Sequence, residues 1–157
     1  PIINKIKKLL EPENSTPSSV ASIRNELQES MEVNAKIFRT EKTLADQQEI
    51  LGELREKSKN INVSDKGTVF NTELLEAIEL EYLLDMSDAT VGSAIMRKES
   101  RGAHSRIDYS ERNDQKWLKH SMIWVDEKGL TKTKYRQVNL KTNTKEIKTI
   151  EPKARVY

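Results

Sequence analysis

Between Asn71 and Asp108 the sequence encodes one long helix and its exit, and any fold has to be arranged around them. Asn71 is a good N-cap, because its side-chain oxygen accepts from an orphan amide of the first turn. Glu73 and Glu76 follow, where the positive end of the helix dipole favours acid. Leu75, Ile78, Tyr82, Met86 and Ala89 recur at spacings of three and four, which puts them on one face. Leu80, Leu84, Val91 and Ile95 form a second row nearly opposite. A helix apolar on two sides is expected to be central, with neighbours on both. From Thr72 to Lys98 it spans about 40 Å.

At the exit, Arg97 and Lys98 stand where the carbonyl end of the dipole favours cations. Gly102 is placed to take the left-handed conformation that stops a helix. That leaves Arg101, His104, Arg106 and Asp108 crowding the same turn. On the residues alone, a solvated charged turn and a built cluster are equally good accounts.

The remaining helices are shorter. Ile2 to Leu10 reads as a basic amphipathic helix, too short to favour a membrane surface over docking on the protein. Pro12, Ser15, Pro17 and Ser18 mark a loop. A second helix starts near Ser18, with Val20, Ile23, Leu27 and Met31 as its buried stripe, and ends by Asn34. Ile37-Phe38 is expected to plug a connector, and Thr40 to cap a helix over Glu41–Ser58. That helix presents Leu44, Gln47, Leu51 and Leu54 on one face, with Ile50 beside them. Val69-Phe70 before Asn71 resembles a hydrophobic staple. These pieces predict a mainly α chain. Residues 1–17 form a short helix and loop, and 18–108 a three-helix, spectrin-repeat-like bundle.

After Asp108 the pattern changes. Arg112 to Lys119 is a linker or helical turn bearing Trp117. His120 to Asp126 alternates as a strand does, Asp126 to Gly129 is a turn, and Leu130 to Val138 is the return strand. Lys132, Lys134 and Arg136 share one face, which must be wet or face acid. Residues 147–157 are expected to add a third extended piece broken by Pro152. Residues 109–157 are thus a basic appendage containing a β-hairpin. The net charge of +2 conceals this polarity. Residues 97–157 carry 16 Lys or Arg and 8 Asp or Glu, leaving the first 96 with a net charge of −6.

Composition excludes several classes of function. There is no cysteine, so disulfides, thiolate metal sites and cysteine nucleophiles are ruled out. No window approaches the roughly 18 apolar residues of a membrane span, and no stretch reads as a signal peptide. The five glycines never form Gly-x-Gly-x-x-Gly or a phosphate loop. His104 and His120 lack metal-type partners at helical spacing. Ser100 and Ser105 lie near His104, but nothing supplies an oriented base and an oxyanion site. Trp117, Trp124 and Tyr135 among basic residues are the raw material of a single-strand nucleic-acid surface. The core of a hairpin packed on the bundle accounts for them better. With 33% charged and 35% hydrophobic residues, the chain is polar for a self-sufficient globule and suits a piece that packs on something else.

A family resemblance extends the reading. The run Arg97-Lys98-Glu99-Ser100-Arg101-Gly102-Ala103-His104-Ser105-Arg106-Ile107-Asp108-Tyr109 is followed by Arg112-Asn113-Asp114 and Trp117-Leu118-Lys119-His120. It resembles the C-terminal region of succinate dehydrogenase and fumarate reductase flavoprotein subunits. Met31 to Thr40, Val69 to Leu80 and Pro152 to Tyr157 are similar too. The L-aspartate oxidase C-terminal domain shares a similar Glu-Ser-Arg-Gly run and stays as an alternative. A stand-alone interaction module with a basic, nucleic-acid-binding tail is another.

The resemblance implies a parent enzyme that interconverts succinate and fumarate at FAD. Electrons would pass to an iron–sulfur subunit and then to quinone, at the inner, cytoplasmic face of a membrane. It implies that the flavin fold and the catalytic residues lie outside these 157 residues. No catalytic, cofactor-binding or metal-binding residue is therefore assigned, nor is nucleic acid expected as a partner. The expected partners are the flavin-binding domain of the same subunit and, through it, the iron–sulfur subunit. The candidate structural and interface residues are Arg97, Glu99, Arg101, His104, Arg106, Asp108, Arg112, Asp114 and His120. Arg101, Arg106 and Asp108 are expected to form ion pairs that lock the helix exit to the tail and to the flavin domain.

Overall fold

A computed structural model describes residues 2–11 and 18–153 of the chain. Its elements in order are α1 (Ile2–Leu10), α2 (Val20–Asn34), β1 (Phe38–Arg39), α3 (Glu41–Ser58) and α4 (Thr72–Met96). There follow β2 (Ser105–Arg106), a 3-10 turn over Ile107–Tyr109, α5 (Asp114–Trp117), β3 (Lys119–Val125) and β4 (Thr131–Gln137). The mainly helical class with a small C-terminal hairpin is as the sequence predicts.

Side-chain caps fix the starts of the three bundle helices. Ser19, Thr40 and Asn71 accept from the amides of Ser22, Thr43 and Leu74 at α2, α3 and α4. At Thr40 the bond is returned, because Thr43 Oγ1 accepts from the Thr40 amide. The core forms where the apolar faces of α2, α3 and α4 meet. Val20, Ile23 and Leu27 face Leu44, Leu51 and Leu54, and Leu80, Leu84 and Val91 complete it. Gln47 is fully buried among them, satisfied by Asn34 and Ser30. The helix α1 docks on α4 through a Lys5–Glu81 ion pair, with Leu9 and Leu10 against the core.

The hairpin β3–β4 is antiparallel and lies on the outer end of α4. Gly92 makes that contact possible. A Cβ there would sit 2.8 Å from Thr131 Oγ1 and 3.0 Å from Ile123 Cδ1. The hairpin turn has Gly129 at φ 77, and Asp126 Oδ1 accepts from the amides of Lys128 and Leu130. Lys132, Lys134 and Arg136 are exposed, as their alternation predicts.

Five expectations are corrected. Helix α4 stops at Met96, before Lys98, and Gly102 does not cap it. Gly102, at φ 59, instead opens a two-residue turn closed by mutual backbone bonds between Arg101 and His104. The row from Leu75 to Ala89 of α4 is not covered as expected: Ile78 and Ala89 are half-buried, but Leu75, Tyr82 and Met86 are exposed, with no helix over them among the described residues. Val69 and Phe70 form no staple. Both are exposed, because the loop before α4 is held by polar contacts, with Asn71 Nδ2 donating to the Asp65 and Gly67 carbonyls. Ile37 and Phe38 are exposed rather than a plug, since Phe38–Arg39 pairs as a short parallel strand with Ser105–Arg106. Residues 147–153 form no third strand, and 154–157 lie outside the described residues, as do Pro12, Ser15 and Pro17.

Candidate functional site

The end of α4 and the segment after it carry a lattice of ion pairs. Its first knot is Glu99, whose side chain is fully buried. The carboxylate accepts from Arg97 Nη1 at 2.5 Å, Arg101 Nε at 2.8 Å and the Asn113 amide at 2.8 Å. Burial alone raises the pKa of such a carboxyl. The bonds from Arg101, Asn113 and Arg97 outweigh it and hold the group below its usual range. Arg101 continues to Asp114 at 2.6 Å, and Asp114 accepts from Arg112 at 2.7 Å. Arg97 lies over the Trp117 ring and donates to the carbonyls of Trp117 and Lys119. The exit of α4 is thereby stitched to α5 and the start of the hairpin.

The second knot is Arg106, also fully buried. Its guanidinium makes a bidentate pair with Asp108, with bonds of 2.8 and 2.7 Å, and a 2.7 Å bond to Glu41. Nη1 donates to the Ala94 carbonyl at 2.9 Å. That carbonyl belongs to the last turn of α4, where backbone acceptors have no helical partner. Arg106 is thus the cap of α4, supplied from twelve residues away. Asp108 does the converse for α3, accepting from the Glu41 amide at 2.8 Å. One bidentate pair therefore sits with its cation at the negative end of α4 and its anion at the positive end of α3. The hydrogen bonds from Arg106 and from the Glu41 amide hold the Asp108 carboxyl down at about 2, against the partial burial that raises it.

His104 lies between the knots. One ring nitrogen, Nε2, is 2.9 Å from the Arg97 carbonyl, and Nδ1 is 3.1 Å from Arg39 Nη1. Only the tautomer protonated at Nε2 satisfies both partners. Burial, together with the nearby Arg39, Arg106 and Arg97, pushes its pKa down, against the carbonyl bond that raises it.

Of the nine candidates, Arg97, Glu99, Arg101, Arg112 and Asp114 form the first knot, Arg106 and Asp108 the second, with His104 between them. His120 stands apart, exposed on β3 opposite Arg136. Sequence reasoning missed Glu41 and Arg39 as members. It also missed a third cluster, in which Arg55 donates to Asp88 at 2.5 Å and Asp85 at 2.6 Å beneath the hairpin turn. The two aspartates at i and i+3 were its only trace.

The chemistry of the lattice is cohesive. Its carboxylates are all engaged by guanidinium groups, and the imidazole is held neutral between a donor and an acceptor. Among the described residues no group of three or more His, Asp or Glu could hold a metal ion. No helix among them is long and apolar enough to cross a membrane.

Residues 24–157 match the family described as the fumarate reductase flavoprotein C-term. The chain is 45% identical over 139 residues to the succinate dehydrogenase flavoprotein subunit of Rickettsia bellii, covering 88% of this chain and 23% of that protein. It is 39% identical over 139 residues to the fumarate reductase flavoprotein subunit of Haemophilus influenzae, covering 88% of this chain and 22% of that one. It superposes on a solved quinol fumarate reductase chain of E. coli with a TM-score of 0.86 and 35% identity, over 99% of this chain and 26% of the other. The chain spans about a quarter of the length of the curated relatives it matches.

Proposed function

The chain belongs to the C-terminal family of fumarate reductase and succinate dehydrogenase flavoproteins, and from that premise we propose that it serves as a structural and assembly domain of such a subunit. The parent subunit interconverts succinate and fumarate with FAD. It hands electrons to an iron–sulfur subunit and then to quinone, and sits peripherally on the inner face of a membrane. The observation that carries this reading is the whole-chain superposition on the quinol fumarate reductase. The same comparisons favour it over an L-aspartate oxidase domain.

The residues present here do not fit a flavin site. The guanidinium groups of Arg97, Arg101 and Arg106, which would meet a pyrophosphate, are already bonded to carboxylates and carbonyls. The parallel pair β1–β2 is two residues long, and the turn from β1 into α3 carries no glycine and has its Glu41 amide already bonded to Asp108. The flavin and the reacting groups accordingly belong to the rest of the subunit, and no catalytic step is assigned to this chain. The lattice from Arg97 to Asp114 gives the domain a fixed exit from α4, so that the tail and the flavin-bearing portion meet it in one geometry.

The native polypeptide in its source cells tests this. An antibody to this chain is expected to detect a much larger, flavin-bearing species in the membrane fraction. A soluble, colourless polypeptide of about this length would overturn the proposal.

A further inference from the structure

Half of α4 is built for a neighbour that the described residues do not supply. Leu75, Tyr82 and Met86 follow at spacings of seven and four, which makes one stripe diametrically opposite the buried row of Leu80, Leu84 and Val91. They are 55%, 59% and 66% exposed. Immediately before the helix, Phe70 is 95% exposed and Val69 75%. The backbone of Phe70 has φ 53, a region that bulky side chains seldom enter. Single exposed apolar residues are ordinary. Five in line along one helix and its entry are a surface to be covered.

We propose that Val69, Phe70, Leu75, Tyr82 and Met86 form the seat on which the flavin-bearing portion of the same subunit packs. The proposal rests on the reading that this chain is the C-terminal domain of such a subunit. Length selects the occupant first. The matched relatives are about four times as long as the aligned region, so some three-quarters of the polypeptide lies elsewhere. A partner in the same polypeptide is always present and at high effective concentration. That suits a surface too apolar to stay bare between encounters, as permanent interfaces are.

Charge selects it next. Glu76 and Glu79 are exposed along the edge of the stripe. A second copy packed antiparallel about a two-fold axis would bring these acidic edges against each other, which like charges oppose. A facing surface that is apolar at its centre with basic side chains at its rim would complement this edge, where Glu76 already has Arg24 3.8 Å away. Phe70 has the position of an anchor: an aromatic held outward by a loop fastened through Asn71.

The test uses the full-length subunit, alone and in its complex, with Tyr82 or, separately, Phe70 replaced by the photoreactive p-benzoylphenylalanine. Illumination of the subunit alone is expected to give an intramolecular cross-link that mass spectrometry maps to the flavin-bearing portion. Adding Met86→Glu beside the probe at position 82 is expected to cut that cross-link about tenfold or more, since a charge is forced into an apolar contact. Circular dichroism should be unchanged, because Met86 faces away from the bundle core. A cross-link to a second copy or to another subunit, or none at all in a flavin-loaded active subunit, overturns the proposal and leaves the domain assignment standing. A full-length subunit that neither holds FAD nor interconverts succinate and fumarate overturns the assignment beneath it.

Discussion

Arg106 shows how much one side chain can hold together. It is fully buried, yet each of its partners belongs to a different piece of the molecule: Asp108 beyond β2, Glu41 at the start of α3, and Ala94 at the end of α4. Replacing it with methionine keeps most of the stem but strands those acceptors. Breaking a buried pair costs roughly 3–5 kcal/mol. The Asp108 and Glu41 carboxylates are 29% and 51% exposed and can be rehydrated, so Arg106→Met should cost about 3 kcal/mol, the lower end of that range. Urea unfolding measures this, and a loss under about 1 kcal/mol would remove Arg106 from its role as cap. Arg106→Lys should rescue little, because an ammonium cannot make the bidentate pair and reach the carbonyl together. The two depressed titrations give this end of α4 a pH dependence of one sign. His104 is needed neutral, so its contribution is full above its ordinary value of 6.5 and falls as pH drops through its lower native value. Asp108 contributes fully above 3.8 and loses its share as pH falls towards about 2. Proton NMR of the His104 ring should show a midpoint below 6.5. A midpoint at or above it would mean that the ring is not held between the Arg97 carbonyl and Arg39.

At the scale of the element, two glycines in helices make opposite predictions. Around Gly52 in α3 a Cβ meets nothing within 4 Å, so Gly52→Ala should stabilise the chain by about 0.5–1 kcal/mol through helix propensity. Gly92 in α4 lies under Thr131 and Ile123, so Gly92→Val should unseat the hairpin, lower the thermal midpoint and raise amide exchange in β3 and β4. Equal effects of both changes would show that the hairpin does not pack there. Elements of this kind were legible because their signals are local. Thr40 and Asn71 announced two helix starts, and spacing announced the buried faces of α2, α3 and α4. The end of α4 was not legible, since its cap is a side chain twelve residues on that reaches it only in three dimensions. Gly102 carried the local signature of a stop and serves a different turn. The candidate site was legible as a list of charges, and eight of the nine named residues do meet. Its other half, Glu41 and Arg39, was hidden because no pattern distinguishes a paired surface charge from a solvated one. The Arg55–Asp85–Asp88 cluster was hidden likewise, Asp88 passing for a gap in an apolar row.

For the whole molecule, the acidic front and basic tail do not neutralise each other in bulk. Among the described residues the ion pairs that cross between them, Lys98 and Arg106 with Glu41, gather at one place, while Lys132, Lys134 and Arg136 remain in solvent. The tail is therefore fixed by the short lattice and by the seat at Gly92, and Arg101 is a partly exposed link in the middle of that lattice. Arg101 ties buried Glu99 to Asp114, and its side chain is 27% exposed, so water can replace part of what it gives. Arg101→Ala should then cost about 2 kcal/mol, the range of a hydrogen bond to a charged group. In a full subunit this is worth a few degrees in thermal midpoint at most. Its larger consequence should be geometric, because Glu99 keeps Arg97 and the Asn113 amide while Asp114, at the start of α5, loses its tie to the exit of α4. Measured on the full-length subunit, Arg101→Ala should lower flavin content after purification by more than the small loss of thermal stability accounts for. Arg112→Ala, which breaks the outer bond to Asp114 and one to the Lys153 carbonyl but leaves Glu99 and Arg101 paired, should leave flavin content close to wild type. Normal flavin content in Arg101→Ala would mean that the lattice holds this domain together without setting how the rest of the subunit meets it.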